Sequence, residues 1–94
     1  MHLLRIEHHS ADYDGWKTLF DKDPVDRGGK GVRRHQVLRG QDDPTDLCIE
    51  LTFDSAAEAQ VLLDAMQDVW NRVADDLISA PTVKIFEIAE VKEY

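Results

Sequence analysis

Cysteine is almost absent: Cys48 stands alone, so no disulfide within the chain can staple the fold. A lone cysteine fits a reducing compartment, or serves as a small buried hydrophobe. Long hydrophobic runs are missing too. No stretch approaches the roughly 18 apolar residues that a membrane-spanning helix needs. The opening Met1-His2-Leu3-Leu4-Arg5 has no basic region followed by a long apolar one, so no secretory leader is read. These features lead us to expect a cytoplasmic protein without a membrane partner. Basic residues are scarce as well: 11 Lys and Arg stand against 19 Asp and Glu, a formal net charge of −8. Phosphate backbones are held mostly by Lys and Arg, so this balance argues against nucleic acid as a main partner.

The 94 residues that remain to be explained suit one domain, spanning 1–94. A domain of this size buries a modest share of its surface, and association is the ready route to further stability. A homodimer is therefore expected. Charge is unevenly spread. Between Asp26 and Arg39 lie Arg27, Lys30, Arg33, Arg34 and Arg39 with a single acid, on an otherwise acidic chain. Charge balance within or between subunits explains this stretch more simply than a small-anion site does, although Arg33 is retained as a candidate ligand contact.

Periodicity supplies the elements. Leu3 to His9 alternates, with Leu4, Ile6 and His8 on one side and Leu3, Arg5, Glu7 and His9 on the other, as in a strand with one apolar face. Tyr13, Trp16, Leu19 and Phe20 follow at helical spacing, with Asp12 as N-cap, and Pro24 stops that helix. "PVDRGGKG" (24–31) reads as a flexible connector. Val32 to Arg39 reads as a second strand, in which Val32 and Val37 have opposite parity, so a bulge or an edge position is expected. Leu47 to Phe53 alternates cleanly. Ser55-x-x-Glu58 has capping-box spacing and opens a long helix whose apolar face runs from Ala59 through Leu62, Met66 and Trp70 to Val73 and Leu77, ended by Pro81. Val83 to Val91 is the last strand.

The order β-α-β-β-α-β is the split, ferredoxin-like pattern of an α+β domain. Right-handed crossovers place both helices on one face of a four-stranded antiparallel sheet. The other face is left open and carries Cys48, Glu50 and Thr52 together with Leu3, Arg5, Glu7 and His9. The chain resembles the dimeric α/β-barrel superfamily. The residues that carry the resemblance are Asp12-Tyr13-x-x-Trp16 with Phe20-Asp21, and the stretch "HQVLRGQDDPTDLCIELTFDSAAEA" (35–59). The resemblance implies subunits paired sheet to sheet. It also connects the chain with cofactor-independent monooxygenases of antibiotic biosynthesis, polyketide cyclases, haem-degrading enzymes and muconolactone isomerases.

Several residues are candidates for chemistry. His9, His35 and Glu50 are read as projecting into the barrel cavity, where a histidine beside a carboxylate is a usable general base. Pairing of Glu50 with Arg5 or Arg33 is the structural alternative. Tyr13 and Trp70, with polar tips on apolar rings, are candidate ligand contacts, while Trp16 is assigned to the core. His8 and His9 are neighbours on a strand and point to opposite faces, so one of them would have to join Asp12 and His35 to bind an ion. No spacing requires this, and neither a metal nor a cofactor is expected. "RGGKG" joins a helix to a strand and is no P-loop, though it could lie over a cavity mouth with Arg27 and Lys30 steering an anion. Cys48 has no neighbour that would activate it. The function expected is the binding of a small organic molecule, aromatic or anionic, in the barrel cavity between helices and sheet. Any catalysis would be cofactor-free proton abstraction, monooxygenation or cyclisation. The rival is a dimeric module without a ligand, whose buried charges only set the subunit register.

Overall fold

Two antiparallel strands, β1 (His2–His9) and β3 (Asp46–Phe53), form the centre of the sheet, with Ile6 opposite Ile49 and Arg5 opposite Glu50. β2 (Arg34–Arg39) flanks β3 and β4 (Thr82–Glu87) flanks β1, giving the order β2-β3-β1-β4. The computed structural model describes residues 1–72 and 81–94. With α1 (Tyr13–Asp21) between β1 and β2, and α2 (Ala56–Trp70) between β3 and β4, this is the ferredoxin-like βαββαβ fold.

Strand alternation decides what is buried. Leu4 and Ile6 of β1 and Leu47, Ile49, Leu51 and Phe53 of β3 lie on the helix-covered face, and each is nearly or fully inaccessible. Trp16 and Phe20 of α1 and Ala59, Leu62 and Leu63 of α2 close over them. Burying each large side chain of this set stabilises the fold by about 1.5–3 kcal/mol. The helices start where the capping residues stand. Asp12 Oδ1 accepts from the Gly15 N–H at 2.9 Å. The Glu58 N–H donates to Ser55 Oγ at 3.2 Å, and the Ser55 hydroxyl donates back to Glu58 Oε1 at 3.0 Å.

Three elements differ from the periodicity reading. Val32 lies outside β2, its N–H donating to Arg27 O at 3.1 Å, so the parity conflict with Val37 disappears and no bulge is needed. Val37 sits opposite Ile49 on the core face. β4 ends at Glu87 rather than Val91 because its neighbour ends there: Glu87 pairs with His2, and only an Ile88 N–H bond to Met1 O follows. The connector 24–31 is tied down. Asp23 Oδ1 accepts the Arg27 N–H at 2.9 Å, Lys30 Nζ donates to Val25 O at 2.5 Å, and Val25 is buried in the core. Gly31 closes this segment at φ +95°, a conformation that strains any residue with a Cβ. The Val73 and Leu77 end of the second helix, and its stop before Pro81, lie outside the described residues.

Candidate functional site

The register divides the candidate residues between two faces. His9 and Glu50 lie on the open face, as alternation requires. His35 does not. It pairs with Leu51 while Gln36 pairs with Glu50, so His35 points to the helix side. A strand's register relative to its neighbour cannot be read from its own residues, and a slip of one position exchanges the faces. His35 instead meets Phe20 edge-on, with ring centroids 5.2 Å apart. Burial, helped by the cations Arg27 and Lys17, holds its pKa below the ordinary value.

On the open face the acid is already engaged. Glu50 accepts from Gln36 Nε2 at 2.6 Å and from Arg5 Nε and Nη2 at 2.9 and 2.7 Å. The Gln36 bond, with Arg5 adding its own bonds and charge, keeps this carboxyl below its usual range. A carboxylate stabilised in this way is a weak base. Arg33 is directed away from the sheet centre to Asp54, at 2.5 Å. His9 Nδ1 lies 2.9 Å from Asp46 Oδ1. One ligand atom each from His9, Asp43 and Asp46 falls within 4.8 Å of the others, the one such group among the described residues. All three side chains are exposed, and Asp43 already accepts from Thr45 N and Oγ1, at 3.0 and 2.7 Å. The combination of Asp12 and His35 with His8 or His9 is not such a group: His9 is on the opposite face from His35, and His8, on the same face, does not come together with the other two as a ligand group. Beside His9 an open hollow of about 500 Å³ runs along Glu7, Leu38 and Cys48. Burial, followed by the charge of Glu50, pushes the Cys48 thiol up, which leaves it a poor nucleophile.

The other face holds a smaller, drier space between sheet and helices, about 50 Å³ in volume. Ile6, His8 and Ile49 form its floor, Trp16 and Phe20 one wall, and Met66, Val69 and Trp70 the other. The connector adds Pro24, Val25 and Arg27. Trp70 is among the residues lining this space. Tyr13 lies beside this wall, its ring 5.8 Å from Trp16 and covered on one face by the Arg39 guanidinium at 4.1 Å. Rings run in series through the wall, from His8 to Trp16 at 5.7 Å, to Phe20 at 5.0 Å and to His35 at 5.2 Å.

His8 is the polar group of the cavity floor. It is 5% exposed, and its Nδ1 has no hydrogen-bond partner. Burial holds the imidazole below its ordinary pKa; the His9 main chain pulls the other way without completing a bond to Nδ1. Buried polar atoms are nearly always satisfied, so the orphaned Nδ1 makes His8 a candidate for chemistry as well as packing. His2 Nδ1 is also unpartnered, but it belongs to the far end of β1 and does not line this space. Alternation places His8 with Leu4 and Ile6, and in the sequence it stands out only as one possible metal ligand. The signal was present: a histidine occupies the position where the strand's pattern calls for an apolar residue.

No protein-family model and no curated protein matches the chain. Solved structures do match. A mutant of SnoaB, a cofactor-independent oxygenase from Streptomyces nogalater, superposes with TM-score 0.76 at 11% identity, over 96% of this chain and 94% of that one. A dimeric ferredoxin-like protein from an uncultured marine organism gives 0.67 at 6% identity, over the whole of both chains. Rv0793 from Mycobacterium tuberculosis gives 0.65 at 12% identity, over 99% and 100%. At these identities the likeness is one of fold. The chain has the ferredoxin-like architecture, shared also with a putative antibiotic biosynthesis monooxygenase from Nitrosomonas europaea at TM-score 0.63 and 16% identity, over 96% of this chain and the whole of that one. No helix among the described residues is long and apolar enough to cross a membrane.

Proposed function

We propose that the chain binds a small, flat organic molecule between sheet and helices, and that His8 is the base that removes a proton from it. One observation carries this reading: an unpartnered, buried imidazole nitrogen on the floor of an aromatic-lined cavity. A neutral histidine in an apolar site is a competent proton acceptor at neutral pH. Its burial supplies that neutrality. The ring series of Trp16 and Phe20 offers a planar ligand its stacking surface.

Deprotonation of a phenol or of a doubly activated methylene leaves an electron-rich anion that reacts with dioxygen directly. Oxidation of a methylene to a carbonyl balances with one dioxygen and releases one water, since the methylene supplies both the electrons and the two hydrogens. Cyclisation uses the same first step. The fold shared with a cofactor-independent oxygenase supports this class of chemistry. The cavity of about 50 Å³ accommodates only a few waters, so a ring enters only as the walls part.

A homodimer paired through the open sheet face belongs to this proposal. The dimeric ferredoxin-like neighbour supports it, as does a face carrying Leu3, Leu38 and Phe86 among its charges. Naphthols and aryl ketones with an activated methylene provide the test, followed by indole N–H shifts of Trp16 and Trp70 and by dioxygen uptake. The expected result is saturable binding, with uptake that His8→Phe abolishes. Absence of any shift at millimolar concentrations, or uptake unchanged in His8→Phe, overturns the proposal.

A further inference from the structure

Among the described residues that line the cavity, Arg27 is the one formally charged side chain and none is acidic. Its side chain is only 12% exposed. The guanidinium lies over Phe20, with Cζ 3.8 Å from the ring centroid, and Nη1 donates to Phe20 O at 2.8 Å. Its ion partner is Asp23, whose Oδ1 lies 3.5 Å from Nε and also accepts the Arg27 backbone N–H at 2.9 Å. Arginine presents five N–H donors in a planar fork, and here one of them has a short acceptor among the described residues. Asp23 engages the Nε edge and Phe20 O one Nη1 donor, which leaves the other Nη donors without an acceptor among the described residues and open to an anion.

We infer that the ligand of this cavity is an aromatic carboxylate, with its ring against Trp16 and Phe20 and its carboxylate on the free edge of the Arg27 guanidinium. This rests on the reading of the same cavity as the ligand site. The fork of Arg27 matches the two oxygens of a planar carboxylate. A carboxylate coplanar with its ring keeps the whole ligand flat, as the narrow space requires. A phosphate ester is tetrahedral and doubly charged, and a single arginine would leave half its charge uncompensated. Arg27 is then a binding residue that selects charge, while His8 faces the acidic proton elsewhere on the same ring.

4-Hydroxybenzoate and 4-hydroxybenzamide test this directly, because they share size and shape and differ in charge. Titration of each into the full chain is followed through the indole N–H signals of Trp16 and Trp70. The acid is expected to bind about tenfold or more tighter than the amide, as a charge-assisted fork contact warrants. Arg27→Gln is expected to remove that preference, and Arg27→Lys, which keeps the charge, to retain part of it. Equal affinities for acid and amide in the unaltered protein overturn the carboxylate inference and leave the cavity reading standing. A full preference surviving in folded Arg27→Gln overturns it as well. If neither compound moves either indole signal, nor do the naphthols and aryl ketones, the cavity reading fails and this inference with it. The comparison in the unaltered protein needs no variant, so a folding defect in Arg27→Gln does not shelter the inference.

Discussion

Arg5 and Glu50 are direct partners across the two central strands, and Arg5 Nη2 lies 2.7 Å from Glu50 Oε2. With Gln36 donating to the other carboxylate oxygen, Glu50 is satisfied on both sides. That arrangement favours a register-setting role for Glu50 over a catalytic one. Glu50→Gln should leave dioxygen uptake and ligand affinity near their original values while weakening the proposed dimer, because Arg5 and its counterpart in the second copy lose their counter-charges. Sedimentation velocity across a dilution series checks this. A loss of uptake in a variant that stays dimeric would return Glu50 to the catalytic set.

His8 makes a pH prediction whose sign follows from burial. Its pKa in the folded chain lies below the ordinary 6.5, so the unfolded chain binds the proton more readily. The stabilising contribution is present above 6.5 and is lost as pH falls from 6.5 through the folded value. Urea unfolding midpoints should therefore drop between about pH 7.5 and pH 5.5, before most carboxylates titrate. His8→Phe should flatten that region. A residual slope is expected from His35, which is shifted in the same direction by burial and by Arg27.

At lower pH, Glu50 takes over. Its folded pKa lies below the ordinary 4.5, so its contribution is present above that value and is lost as pH falls through the folded one. Asp54, held down mainly by the Arg33 hydrogen bond, behaves in the same sense. Denaturant midpoints of Glu50→Gln and the unaltered chain should converge as pH falls below the ordinary carboxylate range. Curves that stay apart by the same margin at every pH would show that the Glu50 charge is not what differs.

The core sets the stability scale. Phe53 is fully buried beneath the helices. Phe53→Ala should cost about 3–5 kcal/mol, the transfer term plus a cavity that the surrounding side chains refill only in part. That approaches the whole stability of a small domain. Denaturant melts read the loss, and an unfolded variant at 37 °C is an acceptable form of it. A cost below about 1 kcal/mol would mean that the site collapses freely.

Ser55 offers a milder test. It accepts from the Glu58 N–H and donates to the Glu58 carboxylate. Ser55→Ala should cost about 1 kcal/mol through the first turn of α2. Because α2 carries Met66, Val69 and Trp70 to the cavity, ligand affinity should be unchanged in the folded fraction. Reduced affinity at full folding would show that the cap also positions the far end of the helix.

Much of this molecule was legible before folding. Leu4-Ile6-His8 and Leu47-Ile49-Leu51-Phe53 carry the period of two that names an inward face, and that face is the one buried. Asp12 and Ser55 announced their helices by side-chain chemistry, because a cap needs only residues three positions away. Where contacts are that local, the chain alone determines them. His35 shows the limit. Whether it joins Glu50 or Phe20 depends on how β2 slides along β3, and no residue within β2 records that offset. Arg27 shows it again: its stretch read as a mobile connector that could lie over a cavity mouth with Arg27 and Lys30, and docking against Phe20 decided that Arg27 is the one that lines the space. Element identity, the faces of β1 and β3 and helix starts were thus sequence properties, set by short-range geometry. The company kept by His8, Trp16, Trp70 and Arg27 was decided by tertiary structure, because it depends on packing among segments far apart in the chain.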